Sequence, residues 1–279
     1  MIVDYHMHTP LCRHAVGEPE AYARRALELG IEEIGFSDHS PMPTSYDPDW
    51  RMTSAEYPSY IDMVRRCQKA FPQLTIRLGL EADYHPGTEA FVKGVIDAQP
   101  FDYVIGSIHY LGDWGFDNPD HAHRFEQQDL HKVYSQYYDL VIGLAGTGLY
   151  DILGHPDVIK KFGHRPSSDY EPLERRALEA VAKAGMALDV NTSGLGRPAK
   201  EIYPSLRILK AARSMGIDIT FGSDAHDPRR VGDCFAQAVA QAKEAGYRQF
   251  RRYAQRRFEL VPIPVEKRSG IVLLWGIGS

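Results

Sequence analysis

The chain has 279 residues, 43% hydrophobic and 25% charged, which is the make-up of a globular protein with a full core and long enough for one α/β barrel. A net charge of −5 speaks against a protein that holds nucleic acid by its phosphates. No apolar run reaches the roughly 18 residues of a membrane span, no signal-peptide pattern precedes Ile2, and Cys12, Cys67 and Cys234 are too few and scattered for a disulfide framework, so a reducing cytoplasm is expected.

In chain order, Ile2-Val3-Asp4-Tyr5 reads as a short strand running into His6-Met7-His8. Alternate residues of an extended chain share a face, so His6 and His8 present two imidazoles side by side, a chelate for a divalent metal. His14 follows in a loop. Residues 18–29 are helical, with Ala21, Tyr22, Ala26 and Leu29 on one face and Gly30 placed to stop the helix. Residues 31–37 form a second strand leading into Asp38-His39. The unit then recurs. Helix 57–71 precedes strand 75–80, which ends in Glu81, and helix 88–98 precedes strand 101–108, which ends in His109. Residues 112–124 are rich in Gly, Asp, Pro and His without periodicity and read as an active-site loop. Helix 130–144 leads to strand 152–154 and His155, and helix 171–184 to strand 187–191. Helix 205–215 leads to strand 217–222 and then Ser223-Asp224-Ala225-His226. A last helix spans 233–245.

Seven strands alternating with helices predict a closed or nearly closed parallel barrel, a single domain over residues 1–265. The apolar, Gly-rich segment 266–279 is expected to be docked or disordered. An open doubly wound sheet has the same rhythm, but the polar residues favour the barrel. His6 and His8, His39, Glu81, His109, His155, and Asp224 with His226 all stand at strand C-terminal ends, which a β/α barrel gathers on one face around one axis. That convergence predicts a polynuclear metal site. Cys12 could add a thiolate, whereas His85, His121, His123, His131 and His164 sit in loops or helices without such support.

His6-Met7-His8, Ser37-Asp38-His39, Ser107-Ile108-His109 and Asp224-Ala225-His226, with Glu81 in Gly79-Leu80-Glu81, resemble in order the motifs of the PHP (polymerase and histidinol phosphatase) superfamily. Phe36-Ser37-Asp38-His39-Ser40-Pro41, Gly79-Leu80-Glu81-Ala82-Asp83 and Gly154-His155-Pro156-Asp157 look like its histidinol-phosphate phosphatases in particular. The resemblance implies a distorted (β/α)7 TIM-like barrel with its active site at the strand C-termini, and three divalent metal ions, drawn from Zn, Fe and Mn. It places His6, His8, Glu81 and Asp224 on one metal, Glu81, His109 and His155 on a second with Glu81 bridging, and His14, His39 and His226 on the third.

The implied reaction is hydrolysis of L-histidinol phosphate, a small phosphate monoester, in histidine biosynthesis, without nucleic acid or membrane as partner. Nothing in the sequence fixes an oligomeric state. Glu81, His109 and Asp224 are the expected catalytic residues, Asp224 as a proton relay to the leaving oxygen. Arg197 after the sixth strand, Lys161 after the fifth, and Ser107 are the expected substrate contacts, since Arg grips phosphate bidentately and Lys acts as a point charge. Lys160 could take the part of Lys161. Asp83, Asp117 and Glu201 are the carboxylates available to the amine and imidazole. The rival readings are a phosphatase of another small ester, a PHP nuclease, and a non-enzymatic PHP domain.

Overall fold

The computed structural model describes residues 2–43 and 47–264; the segment 266–279 discussed above lies outside them. The chain begins with β1 (Val3–Asp4), α1 (Pro19–Glu28), β2 (Glu33–Phe36), α2 (Tyr57–Ala70), β3 (Thr75–Asp83) and α3 (Glu89–Asp97). It continues through β4 (Tyr103–Ser107), a small hairpin of β5 (Tyr110–Leu111) and β6 (Trp114–Gly115), α4 (Leu130–Gly146), β7 (Ile152–Leu153) and α5 (Glu171–Ala184). The last elements are β8 (Ala187–Asn191), α6 (Leu206–Ser214), β9 (Ile219–Gly222), α7 (Phe235–Glu244) and the hairpin β10 (Gln249–Ala254) and β11 (Arg257–Pro262). Helix ends follow local chemistry. The Asp129 carboxylate accepts from the amides of His131 and Lys132 at the start of α4, and Gly185 takes φ +69° after α5, where glycine carries no Cβ penalty.

Seven strands pair in the order β1-β2-β3-β4-β7-β8-β9, all parallel. The sheet closes on itself. The Tyr5 amide donates to Phe221 O at 3.0 Å, the Ala225 amide to His6 O at 3.1 Å, and the His8 amide to Ala225 O at 3.0 Å. The chain is therefore a seven-stranded β/α barrel with helices outside. Inside it, the Tyr103 ring fills the axis. A Cβ on Gly35 would come within 2.1 Å of its hydroxyl and one on Gly79 within 2.4 Å of the ring, so these strand glycines make room for Tyr103.

The β10–β11 hairpin, which no periodicity announced, stoppers the N-terminal mouth. Arg252 pairs with Glu33 (2.8 Å) and Arg251 with Asp218 (2.8 Å), while the Arg256 amide donates to Asp102 O (2.8 Å); all three partners stand at strand N-terminal ends. The Tyr253 amide donates to Tyr5 Oη at 3.1 Å, tying the hairpin to the interior. With that end shut, the barrel interior opens, among the described residues, at the opposite face. The stretch 112–124, expected to be irregular, instead holds strand β6 and runs into a 3-10 helix, Pro119–Gln127.

Candidate metal centre

All nine ligand candidates meet at the C-terminal mouth. Nitrogen and oxygen atoms of His6, His8 and Glu81 lie within 4.8 Å of one another, as do those of His6, His155 and Asp224, of His39, Glu81 and His109, and of His14, His39 and His226. Glu81 is the hub. Its Oε1 accepts from Ser107 Oγ at 2.6 Å and faces His155 Nε2 at 3.0 Å and His109 Nε2 at 3.6 Å. Its Oε2 faces His39 Nδ1 at 3.1 Å, His6 Nε2 at 3.3 Å and His8 Nε2 at 3.5 Å. One carboxylate thus stands between five imidazoles, with both of its oxygens turned to the cluster.

Other carboxylates aim the imidazoles. His6 Nδ1–H donates to Asp189 Oδ2 at 2.7 Å, His109 Nδ1–H to Asp83 Oδ1 at 2.6 Å, and His8 Nδ1 lies 3.4 Å from Asp38 Oδ1. Asp38 is in turn held by Thr9 and by the His39 amide at 2.8 Å, and Asp83 by Arg51 Nη2 at 2.5 Å. Such pairing fixes the tautomer so that the other ring nitrogen presents a lone pair. Gly222 leaves space for this, because a Cβ there would fall 2.5 Å from His6 Cβ and 2.7 Å from Asp189 Oδ1.

The test of whether cations fit lies in the bare atoms. His6 Nε2, His8 Nε2, His39 Nδ1, Glu81 Oε2 and His226 Nε2 are buried without a hydrogen-bond partner. Buried polar atoms are ordinarily satisfied, and these converge on one spot. His109 Nε2 and His155 Nε2 face each other at 3.2 Å, close enough for one cation to take both nitrogens. The donor set of imidazoles and carboxylates suits zinc, iron or manganese.

Electrostatics sort the imidazoles into two groups. Burial would lower the His6 pKa, but Glu81, Asp224 and Asp189 outweigh it and hold that pKa well above normal, so a metal must displace a proton from that ring. For His39 and His226 burial wins, reinforced by His8, and both pKa values fall well below normal, which leaves the neutral ring that ligates metal. Burial works against ionising Glu81 and Asp224, yet the surrounding imidazoles keep both pKa values well below the usual carboxylate range. Asp224 takes φ +55° and His155 φ +26°. Left-handed backbone at a non-glycine residue costs on the order of 1–3 kcal/mol and clusters at functional sites.

A cavity of about 220 Å³ opens above the centre, below the roughly 300–1,000 Å³ of drug-sized pockets, and so suits a small ligand. Arg197 and Lys161 both line it, and Lys161 Nζ lies 3.2 Å from Asp117 Oδ2. Lys160 turns away, with its ammonium on Asp157 (2.6 Å) and Glu201 (2.8 Å). Of the three carboxylates considered for the amine and imidazole, Asp117 lines the cavity, Asp83 is occupied by His109 and Arg51, and Glu201 pairs with Lys160 and Arg165. Ser107 differs from its expected place. It is 0% exposed and its hydroxyl is committed to Glu81, so it reaches the site through that carboxylate. Cys12 offers its sulfur near His8 and His226. Sequence reasoning missed Asp189 and Asp38 as partners of His6 and His8, Arg51 as the anchor of Asp83, and Trp50, whose ring lies 4.7 Å from His14. A charged residue inside the apolar run Ala187-Leu188-Asp189-Val190 was the available signal for Asp189.

The PHP domain family matches residues 4–193. A probable histidinol-phosphatase of Deinococcus radiodurans is 48% identical over 248 residues, covering 88% of this chain and 95% of the relative. The histidinol-phosphatase of Bacillus subtilis is 34% identical, covering 82% of this chain and 95% of the relative. The chain belongs to the PHP-domain histidinol-phosphatase family. In fold, the histidinol phosphate phosphatase of Lactococcus lactis, solved with zinc, L-histidinol and phosphate, matches with a TM-score of 0.80 at 23% identity, covering 92% of this chain and 98% of that one. Membership of the PHP histidinol-phosphatases agrees with the barrel and with the order of ligand-type residues along it.

Proposed function

We propose that this chain is a metal-dependent phosphomonoesterase that converts L-histidinol phosphate to L-histidinol and phosphate in L-histidine biosynthesis. The observation that carries this reading is the set of unpartnered buried imidazole and carboxylate atoms converging beneath a small cavity flanked by Arg197 and Lys161, in a chain of this family. The proposed ligands are His6, His8, Glu81 and Asp224 for one ion, Glu81, His109 and His155 for a second, and His14, His39 and His226 for a third, with Zn, Fe or Mn as the occupants. When bound, divalent ions supply an acidified water and neutralise phosphoryl charge.

The protein's own groups do the rest. Asp189, Asp83 and Asp38 hold the imidazoles in one orientation, so little rearrangement is needed during reaction. Arg197 and Lys161 bind phosphoryl oxygens from the open side, and Asp117 meets the amine or imidazole. Asp224 rests as a carboxylate beside His6, His8 and His226. In this reading it takes the proton of the attacking water and passes it to the leaving alkoxide; its Oδ2 accepts from Ser193 Oγ at 3.2 Å. Residues 1–265 act as one domain. No described helix is long and apolar enough to cross a membrane, and we place the enzyme in the cytoplasm.

The test is a parallel assay of metal-loaded protein on histidinol phosphate, a generic aryl phosphate and a DNA oligonucleotide. Histidinol phosphate is expected to give the highest kcat/KM. Faster turnover of DNA or of the aryl phosphate refutes the substrate assignment.

A further inference from the structure

A second cavity, of about 240 Å³, lies among the N-terminal turns of α5 and α6 and the side of α4. Its lining carries three carboxylates, Asp157, Glu174 and Glu201, and three cations, Lys160, Arg165 and Arg207. The charges balance, so the cavity has no excess of cations for a phosphate and no excess of anions for a polyamine. Asp157, Glu174 and Lys160 are 3%, 5% and 4% exposed, whereas Arg165, Arg207 and Glu201 stand at the mouth with side chains 34%, 42% and 47% exposed. The deep end thus carries two carboxylates against one cation, and the rim two cations against one carboxylate. Glu174 is held by Arg207 at 2.5 Å and by Tyr138 Oη at 3.1 Å, while Asp157 Oδ2 accepts from Lys160 at 2.6 Å and from the Ser205 amide at 3.0 Å. Asp157 Oδ1 is buried with no hydrogen-bond partner, a carboxylate oxygen short of a donor.

The remaining wall is aromatic. Tyr134 and Tyr170 meet edge to face at 4.9 Å, and the Arg207 guanidinium lies 5.5 Å from the Tyr170 ring centre. Flat rings beside a charge-balanced lining, net negative at its floor and net positive at its rim, fit a particular class of molecule. We propose that this cavity binds a zwitterionic α-amino acid with a flat side chain, its ammonium toward Asp157 and Glu174, its carboxylate on Arg165 and Arg207, and its ring against the tyrosines. The site is separate from the metal centre, with Lys160 and Tyr203 between them: the Lys160 ammonium, which lines the second cavity, lies 5.4 Å from the centre of the Tyr203 ring, which lines the first. Arg207 belongs to no part of the proposed phosphatase machinery.

The experiment is calorimetric titration of the metal-loaded protein, without substrate, using L-histidine, L-phenylalanine, phenethylamine and 3-phenylpropionate. At least one of the two amino acids is expected to bind, and phenethylamine and 3-phenylpropionate, which lack the carboxylate and the amine, at least tenfold more weakly. Arg207→Met and, separately, Tyr170→Leu should each weaken the amino acid at least tenfold while leaving phosphatase kcat/KM unchanged; the second variant keeps the buried Glu174 paired. Absence of binding by both amino acids, equal binding of the truncated analogues, or binding indifferent to both variants overturns the proposal. Because the titration contains no phosphoester, its failure and a failure of the phosphatase reading are separate results.

Discussion

Replacing Asp189 by Asn tests how far the centre depends on residues that would not themselves touch a metal ion. Asp189 is 1% exposed and its Oδ2 accepts a hydrogen bond from His6 Nδ1–H at 2.7 Å. Asn keeps the oxygen and the shape but removes the charge that makes His6 Nε2 basic. Loss of such a partner costs roughly 10–100-fold in metal affinity, or about 1.4–2.7 kcal/mol. At about 2–4 °C per kcal/mol for a chain of this size, the rise in Tm on adding metal should shrink by roughly 3–11 °C. The apo protein changes less, since Glu81 and Asp224 still face His6 at 3.3 and 3.8 Å. Affinity is measured by competition with a chromophoric chelator, and Tm by calorimetry with and without metal. Metal affinity within threefold of the parent would refute the assignment of Asp189 as the group that tunes His6.

Glu81→Gln should cut kcat by at least about 100-fold with the fold retained, because the amide keeps the Ser107 contact but cannot bridge two cations; retained activity would show that Glu81 does not bridge. Arg197→Ala should raise KM for histidinol phosphate by roughly 10–100-fold, the value of one charge-assisted contact, and unchanged KM and kcat would make Arg197 a solvated loop charge. Glu56, bonded to Arg13 Nη2 at 2.5 Å and to the Thr53 amide at 2.9 Å, has its pKa lowered from 4.5 to about 2. A lowered carboxylate pKa stabilises the fold above the unfolded value and loses that contribution as pH falls. Apo Glu56→Gln should therefore be less stable than the parent by about 0.5 kcal/mol at pH 7, with the gap closing between pH 4.5 and about 2 in urea titrations. A gap independent of pH would contradict the pairing.

The barrel could be read because its signals are local. Helix 171–184 coincides with α5, and 57–71 ends one residue beyond α2, since each has an apolar face and a clear stop. Ligand-type residues at strand ends were equally open to reading, as barrel topology alone makes them converge. The supporting shell was not. Asp189 and Asp38 act on imidazoles 183 and 30 residues away, and no spacing rule joins such pairs. The β10–β11 hairpin escaped notice because its Arg251 and Arg252 are satisfied by Asp218 and Glu33 in the barrel floor, so its pattern looks like a charged loop until the floor exists. Side-chain direction was the other hidden quantity. Lys160 and Lys161 are neighbours in sequence, yet one faces Asp157 and the other Asp117 in the cavity lined by Arg197.

Hydrolysis of histidinol phosphate should depend on the metal ions of the centre. A titration of chelator-stripped protein with Zn, Mn or Fe(II), following histidinol phosphate turnover against bound metal per chain, measures that dependence. No turnover is expected without metal, and activity should rise until about three ions are bound per chain, one for each proposed ligand group. Turnover by the stripped protein, or full activity at a single bound ion, would contradict this expectation.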